Sequence, residues 1–234
     1  MRRAWDDNAG DWVRWARAPG HDSYWRFHGA PFLELLPPPG RLTVDIGCGG
    51  GRLGRDLLAR GHTVIGIDGS PRMARACVTY PGSPQPAVAG DAARLPVRSA
   101  CAELVVAFMS LQDIDDLESA VAETARILVP GGRLCLAIVH PLNSARTFEG
   151  DRDDRNAPFV IRGAYLDCFR YTDEIERDGL PMTFHSEHRP LEAYSRALER
   201  SGFVTEALRQ VTVDDPDDRW SRLPLFLDLR ARRG

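Results

Sequence analysis

The chain has 234 residues, of which 43% are hydrophobic and 27% are charged, and its formal net charge is −3. A chain of this length buries one substantial core, so we expect a single domain, and the slightly acidic charge disfavours nucleic acid as a partner. All 30 basic residues are arginine, which excludes Schiff-base and P-loop lysines. The longest apolar runs are too short to span a bilayer.

The cysteines and the first residues indicate the compartment. The five cysteines are odd in number and show no CxxC spacing, so reduced thiols fit better than disulfides, and we expect no metal site. Met1-Arg2-Arg3 is followed by polar residues rather than by an apolar stretch, which is unlike a signal peptide. The sequence therefore predicts a cytoplasmic protein that has no membrane partner and is a monomer or a homodimer.

The first part of the chain alternates helical and strand patterns. Trp5, Trp12 and Trp15 fall at helical spacing, which predicts a helix with an aromatic face. After the proline-rich break at 37–40, the pattern predicts strands at Leu42–Ile46, Thr63–Ile67 and Ala87–Ala89, separated by helices at Arg52–Arg60 and Pro71–Cys77. This alternation is typical of a parallel sheet with helical crossovers.

The second part continues the same pattern and then departs from it. The predicted elements are strands at Glu103–Phe108 and Arg133–Val139 around a helix at Asp115–Leu128, then a helix at Pro190–Ser201 and strands at Phe203–Val211 and Leu225–Ala231. No clear helix separates the last two strands, so we expect them to form a closing hairpin. The predicted fold is an α/β, Rossmann-like, doubly wound sheet.

The stretch 142–189 has weak periodicity and dense charge, and it is too long for a simple connection. We expect it to fold as a cap inserted after the fifth strand, at the carboxyl edge of the sheet. The single domain 1–234 then divides into an N-terminal helical lid (1–36), a core (37–141), the cap (142–189) and a C-terminal helix with closing strands (190–234).

The strongest functional signal is the segment Val44–Gly51, in which a strand runs directly into glycines 47, 49, 50 and 51 and then into a helix. Backbone N–H groups are free at the start of a helix, and glycines let a ligand approach the main chain closely. Such a turn predicts a cofactor of the nucleotide type at the end of the first strand.

Two acidic residues make this prediction more specific. Asp68 ends the second predicted strand, 21 residues after Gly47, where a carboxylate accepts hydrogen bonds from ribose hydroxyls. Asp91 follows the third strand, where it can accept a hydrogen bond from an adenine amino group. Either acid alone could be a helix cap or a loop residue, but both together with the glycine turn indicate an adenosine.

Four stretches together resemble the class I S-adenosylmethionine-dependent methyltransferases. They are Val44–Gly54, Val64–Ala76 (VIGIDGSPRMARA), Gly90–Pro96 (GDAARLP) and Ala125–Leu136 (ARILVPGGRLCL). The resemblance is strongest to the group that includes the ubiquinone/menaquinone-type and natural-product methyltransferases. It implies a seven-stranded sheet of order 3-2-1-4-5-7-6, S-adenosyl-L-methionine as the cofactor and S-adenosyl-L-homocysteine as its product.

The resemblance also assigns cofactor contacts. Asp45 matches an acid that helps to anchor the amino group of the cofactor, and Asp68 matches the ribose acid. The remaining expected contacts are Gly47, Cys48, Gly49 and Gly51 in the turn, Gly69 and Met73 beside the adenine, Asp91 and Ala92 at its edge, and Phe108 and Met109 beside the sulfonium.

Two other functions fit parts of this pattern. Gly49, Gly51 and Gly54 spell GxGxxG, so a nicotinamide-dependent oxidoreductase is one alternative. The acid within the first strand and the GDAARLP segment favour the methyl donor over it. The other alternative is a repurposed protein that binds S-adenosylmethionine and transfers nothing.

Catalytic and acceptor-binding residues are less well specified by the sequence. Relatives often carry a histidine pair after the fourth strand, whereas this chain has Gln112 and Asp113 there, so these two and His140 at the end of the fifth strand are the predicted catalytic residues. The predicted acceptor-binding residues are Tyr24, Trp25, His140, Tyr165 and His185. Aromatic residues in the lid and the cap favour a small aromatic or apolar acceptor, and we expect a methyltransferase of bacterial specialised metabolism.

Overall fold

The computed structural model describes residues 1–81, 85–151 and 153–234, and its centre is a seven-stranded sheet. Five of the strands are parallel: β1 (Thr43–Ile46), β2 (Val64–Asp68), β3 (Ala87–Ala89), β4 (Ala102–Phe108) and β5 (Leu128–Val139). β1 and β4 are buried nearly throughout, which is the pattern expected of strands covered on both faces.

The sheet is completed by β10 (Phe203–Val211) and β11 (Phe226–Arg233), which form an antiparallel pair. β11 lies between β10 and β5 and runs antiparallel to both, so the order is β10-β11-β5-β4-β1-β2-β3. The predicted fold class, strand order and closing hairpin are therefore confirmed. A parallel pair requires a crossover, whereas β10 and β11 follow each other without one.

Helices cover both faces of the sheet. Alternate residues of β4 point to opposite sides: Val105 and Ala107 belong to one buried cluster, and Leu104, Val106 and Phe108 belong to the other. α6 (Leu117–Ile127) and α8 (Leu191–Arg200) pack on the first cluster, whereas α3 (Gly29–Glu34) and α4 (Arg52–Ala59) pack on the second. None of the helices in the described ranges has the length and apolarity needed to cross a membrane.

The N-terminal segment crosses the carboxyl edge of the sheet. It contains α1 (Arg2–Asp7), α2 (Ala9–Arg17) and a π-helical turn, Tyr24–His28. α2 packs against α5 (Pro71–Val78) and against β9 (Leu180–His188). The aromatic face predicted for this segment therefore faces the edge where the strands end.

The stretch 142–189, predicted as a cap, contains α7 (Pro141–Ala145) at its start and two small antiparallel sheets. One pairs β6 (Arg146–Phe148) with β7 (Phe159–Ile161), and the other pairs β8 (Phe169–Arg177) with β9. The β8–β9 hairpin turns through Asp178 and Gly179, which have φ of 51° and 75°. Positive φ at both central residues is the type I′ geometry that matches the twist of a hairpin.

β5 begins five residues earlier than the predicted strand. Its pairing with β4 moves from Leu128 directly to Arg133, so the turn residues 130–132 form an irregularity inside the strand. Pro130 has no N–H to donate to a ladder, which explains why pairing is interrupted there.

Candidate functional site

A cavity of about 880 Å³ lies at the carboxyl ends of β1, β2, β4 and β5. Its walls come from the glycine turn after β1, the N-terminal helices, the segment after β4 and the β8–β9 hairpin. Ligands bind at this edge in open α/β sheets, because the loops that follow parallel strands meet there. Of the cofactor contacts expected from the sequence, the structure places all but Gly51 in the wall of this one cavity.

The glycine turn requires glycine for both conformational and steric reasons. Gly47 has φ of 70°, a region that side chains disfavour, and a Cβ there would lie 2.3 Å from Cβ of Ser110. The Ser110 hydroxyl donates a hydrogen bond of 2.7 Å to the carbonyl of Ile46, which fixes it against the turn. The segment after β4 and the turn after β1 therefore hold each other in place.

Asp68 stabilises the turn from the neighbouring strand. One carboxylate oxygen accepts a hydrogen bond of 2.8 Å from the Gly49 N–H, and the other accepts one of 2.8 Å from the Ser70 N–H. Burial raises the pKa of Asp68, although these two bonds oppose the rise. A carboxylate oxygen can accept a second hydrogen bond, so Asp68 can bind ligand hydroxyls while it holds the turn.

Asp45 is the most unusual group in the cavity wall. It is 2% exposed, and its Oδ2 has no hydrogen-bond partner among the described residues. Burial, together with the charge of Asp68, raises the pKa of Asp45 to about 7. A buried acceptor without a donor is costly in a folded protein, so a ligand that supplies a donor or a positive charge here would stabilise it.

The adenine end of the predicted site is covered by the N-terminal segment. The Arg2 guanidinium donates a hydrogen bond of 2.7 Å to the carbonyl of Gly69. The Ser70 hydroxyl donates to Asp6 at 2.5 Å, and the indole nitrogen of Trp12 lies 3.0 Å from the point where a Cβ of Gly49 would be. The helical segment thus lies directly over the glycine turn.

The end of β4 is strained. Met109 has φ of 53°, which is uncommon for a residue that carries a side chain, and its N–H donates a hydrogen bond of 2.8 Å to Ala137. Strain of this kind occurs preferentially at functional sites. Met109 is followed by the 3₁₀ turn Leu111–Asp113, which places Gln112 and Asp113 in the cavity wall.

Asp113 faces the cavity from a protein-enclosed position. Its Oδ1 accepts a hydrogen bond of 2.7 Å from the hydroxyl of Ser186 on β9. Burial raises the pKa of Asp113 well above that of a solvent-exposed carboxyl, while Ser186 and Arg189 oppose the rise. A carboxyl in such surroundings can change its charge when a ligand binds.

The hairpin supplies an aromatic wall. The lining residues on β8 alternate along the strand, and Phe184 and Ser186 line the cavity from β9. Trp12 and Trp15 pack edge-on against Phe184 at centroid distances of 6.0 and 6.2 Å. The lid and the hairpin thus share one aromatic cluster, and both enclose the cavity.

Several residues predicted from the sequence lie outside the cavity wall. These are the turn residue Gly51 and the predicted acceptor-binding residues Tyr24, Trp25, His140, Tyr165 and His185. Tyr24 is buried against Phe108 and donates its hydroxyl proton to Asp56. Trp25 is 60% exposed. The hydroxyl of Tyr165 accepts a hydrogen bond from the Leu191 N–H.

His140 follows β5 as predicted, but its ring is used within the protein. Nδ1 accepts a hydrogen bond of 3.1 Å from the Leu142 N–H, and Nε2 lies 3.2 Å from the amide of Gln210. Burial lowers the pKa of His140 to about 4, so the ring is neutral at physiological pH. The next residue is a proline that begins α7, and the ring stabilises this turn. We therefore assign it no part in the chemistry.

The structure adds residues that the sequence did not single out. Ser110 fits beneath the glycine turn, and Ser186 holds Asp113. Side chains alternate along a strand, so His185 points away from the face that carries Phe184 and Ser186. The turn pair Asp178-Gly179 is the sequence signal that could have identified the hairpin and hence this alternation.

Residues 44–136 match a family model described as a methyltransferase domain. Over 210 residues the chain is 29% identical to a ubiquinone biosynthesis O-methyltransferase from Methylobacterium, a match that covers 86% of this chain and 74% of the relative. An uncharacterized methyltransferase from Synechocystis is 34% identical over 118 residues, which are 49% of this chain and 55% of the relative. The chain spans about half the length of several such curated relatives.

The fold has solved counterparts as well. The crystal structure of an S-adenosylmethionine-dependent methyltransferase from Mesorhizobium loti superimposes with a TM-score of 0.70 at 24% sequence identity. The superposition covers 91% of this chain and 98% of that one. At this identity the likeness shows the fold alone. In this chain the antiparallel β11 lies between β5 and β10, and the six-stranded parallel dinucleotide-binding order contains no such strand.

Proposed function

The chain belongs to the class I S-adenosylmethionine-dependent methyltransferases, and we propose that it binds S-adenosylmethionine in the cavity and methylates a small molecule held beside it. The observation that supports this most directly is the buried Asp45 carboxyl next to the glycine turn, whose Oδ2 has no hydrogen-bond partner among the described residues. It lies in the wall of the same cavity as Asp68 and Asp113. Donor and acceptor would therefore share one enclosed space.

The residues of the cavity fit the methyl donor. Asp45 offers a buried acceptor to the amino group of the cofactor. This amino group is cationic at neutral pH, and a positive charge is what would stabilise the ionised form of a carboxyl whose pKa is raised. Asp68 retains acceptor capacity for the ribose hydroxyls. Gly69, Met73 and Ala92 line the cavity where the resemblance expects the adenine. Asp91 accepts a hydrogen bond from the Ala93 N–H and can accept another at the adenine edge.

When bound, the cofactor supplies a methyl group on a sulfonium whose leaving group is a neutral thioether. The protein's part in such a displacement is alignment, exclusion of water and, for some acceptors, removal of a proton. Met109 and Phe108 line the cavity at the end of β4, and the aromatic wall would exclude water when the cavity is filled. Gln112 and Asp113 would orient the acceptor, and Asp113 can accept a proton from it.

The shape and lining of the cavity favour a small acceptor with an apolar or aromatic body. Aromatic side chains from the lid, the hairpin and the C-terminal part all contribute to the wall. The N-terminal segment and the stretch 142–189 would act as lid and cap. We place the protein in the cytoplasm and in bacterial specialised metabolism, because its composition and family resemblance favour both.

Binding of S-adenosylhomocysteine, measured by isothermal titration calorimetry, tests the proposed site. We expect the wild-type protein to bind it, and Asp68→Ala to weaken binding about 10- to 100-fold, the range expected when hydrogen bonds to a charged group are lost. Asp217→Ala is the matched control, because Asp217 is exposed and its carboxylate pairs with Arg155.

Asp68 also holds the turn. The affinity of Asp68→Asn, which keeps one acceptor oxygen, should therefore lie between those of the wild type and Asp68→Ala. Circular dichroism checks that each variant is folded. Absence of binding by the folded wild-type protein, or equal affinity in all variants, would contradict the proposal.

A further inference from the structure

Two hydrogen-bond acceptors lie next to each other in the cavity wall after β4, at Gln112 and Asp113. From their surroundings we infer that the methyl acceptor is a protonated amine on a small aromatic scaffold, and that these two side chains bind its ammonium group. The inference rests on the proposed function, since it names the acceptor class for the same cavity. It concerns binding, and the nitrogen that is bound need not be the atom that is methylated.

Gln112 supplies the first acceptor. The side chain is 4% exposed, and its amide nitrogen donates a hydrogen bond of 2.9 Å to the carbonyl of Met109. This bond fixes which end of the amide is nitrogen, since a carbonyl can only accept. The amide oxygen is then buried without a hydrogen-bond partner among the described residues. Such an oxygen calls for a ligand that donates.

Asp113 supplies the second acceptor. The Ser186 hydroxyl donates to Oδ1, which fixes the carboxyl without supplying positive charge. Burial raises the pKa of Asp113, and Ser186 and Arg189 oppose the rise only in part, so the ionised form is left without full compensation in the free protein. A cation bound against the carboxyl would provide that compensation.

Arg189 is the cation that influences Asp113, but its guanidinium is used elsewhere. It pairs with Glu187 at 2.5 Å, and it donates to the carbonyls of Leu111 and Ile114 at 3.1 and 2.6 Å. It is 6% exposed and does not line the cavity. Arg189 therefore holds the segment that carries Asp113 and has its charge balanced by Glu187.

An ammonium group matches these two side chains better than a hydroxyl or a carboxylate does. A hydroxyl donates one hydrogen bond, whereas a primary ammonium donates three and carries the charge that the carboxyl needs. A carboxylate would be repelled by Asp113. The aromatic wall, which includes Tyr171 and Phe184, also favours a cation, because aromatic faces attract positive charge.

The sulfonium of the methyl donor is also a cation, and Asp113 could serve it instead of the acceptor. The two roles differ in their consequences. If Asp113 serves the sulfonium, Asp113→Asn weakens S-adenosylmethionine but not the neutral thioether S-adenosylhomocysteine. If it serves the acceptor, Asp113→Asn leaves both affinities nearly equal to those of the wild type.

The test is calorimetric binding of matched probes to the protein saturated with S-adenosylhomocysteine. The probes are 2-phenylethylamine and tryptamine, each paired with the alcohol of the same skeleton, 2-phenylethanol and tryptophol. For the wild type we expect at least one amine to bind about tenfold or more tightly than its alcohol. The preference should disappear in Asp113→Asn, diminish in Gln112→Met and persist in the exposed control Asp217→Asn.

The outcomes separate this inference from the proposed function. If S-adenosylhomocysteine does not bind, the proposed function fails and this inference falls with it. If it binds but no amine is preferred over its alcohol, including the case in which no probe binds, the inference alone is overturned. A preference that survives in folded Asp113→Asn overturns it too. Should this variant not fold, the comparison within the wild type decides.

Discussion

Replacing Asp45 with asparagine should remove most of the pH dependence of S-adenosylhomocysteine binding between about pH 5 and pH 8. Burial and the charge of Asp68 raise the pKa of Asp45 from 3.8 to about 7. Roughly 1% of Asp45 is then ionised at about pH 5 in the free protein. A ligand amino group that carries a positive charge binds the ionised form, so binding must first remove this proton.

The magnitude follows from that fraction. Wild-type affinity should rise with pH and level off above about pH 7, with a difference of about 100-fold between pH 5 and pH 8. Asp45→Asn keeps the size of the side chain and cannot titrate, so its affinity should be nearly flat and lower than that of the wild type at pH 8. Asp68 also titrates in this cavity with a raised pKa, and the comparison with Asp45→Asn isolates the contribution of Asp45.

The stability of the ligand-free protein should fall as pH rises, whereas the affinity for S-adenosylhomocysteine should increase. The pKa of Asp45 is higher in the folded state, so the folded protein retains its proton to higher pH than the unfolded chain does. The stabilising contribution is present below about pH 4 and is lost as pH rises through about 7. The shift corresponds to about 4 kcal/mol, so Asp45→Asn should have the higher melting temperature at pH 8 in the absence of ligand.

Calorimetric titrations from pH 5 to pH 8 measure the affinity, and thermal melts at the two ends of that range measure the stability. Asp217→Asn is the control, since that carboxyl is exposed. A wild-type affinity that does not vary with pH would refute the reasoning. So would a pH dependence of the same slope in Asp45→Asn, because another group would then be responsible.

Two further variants test the turn and the histidine. Gly47→Ala should abolish measurable cofactor binding and destabilise the protein by about 2 kcal/mol or more, because its Cβ would lie 2.3 Å from Cβ of Ser110 at a left-handed φ. The double variant with Ser110→Gly should recover part of the lost stability, as measured by chemical denaturation. If the single variant is as stable as the wild type, the packing described for the turn is wrong. His140→Ala should leave S-adenosylhomocysteine affinity within about twofold and cost about 1–2 kcal/mol of stability, since the imidazole forms its hydrogen bonds within the protein. A tenfold loss of affinity in a folded variant would show that His140 belongs to the site.

The parallel half of the sheet could be predicted because its signals are local. The apolar runs that became β1, β2 and β4 are short, continuous and bounded by glycine or acidic residues, and strands buried on both faces have this pattern. The residues that line the proposed cofactor end of the cavity could be brought together from the sequence for the same reason. Asp45, Gly47 and Asp68 lie at the ends of neighbouring parallel strands, and that position alone brings them together.

The acceptor end could not be predicted in the same way. Trp12, Gln112, Phe184 and Ser186 come from segments far apart in the sequence and meet only through packing of the N-terminal helices and the hairpin. His185, which was predicted from the sequence, and its neighbour Ser186 face opposite sides of β9, and of these two only Ser186 lines the cavity. His140 was predicted from its position after β5, but hydrogen bonds to the chain around it withdraw its ring from the cavity.

The sequence by itself thus determined the sheet, the glycine turn and the acids near the ends of β1 and β2, because each depends on residues close to one another along the chain or at the ends of paired strands. Only the tertiary structure decided which side chains line the proposed acceptor end of the cavity. Burial raises the pKa of Asp113, and part of what encloses this carboxyl is Ser186, 73 residues away, whose hydroxyl donates to its Oδ1. Burial by distant segments is a property of the packed chain, and no local pattern records it.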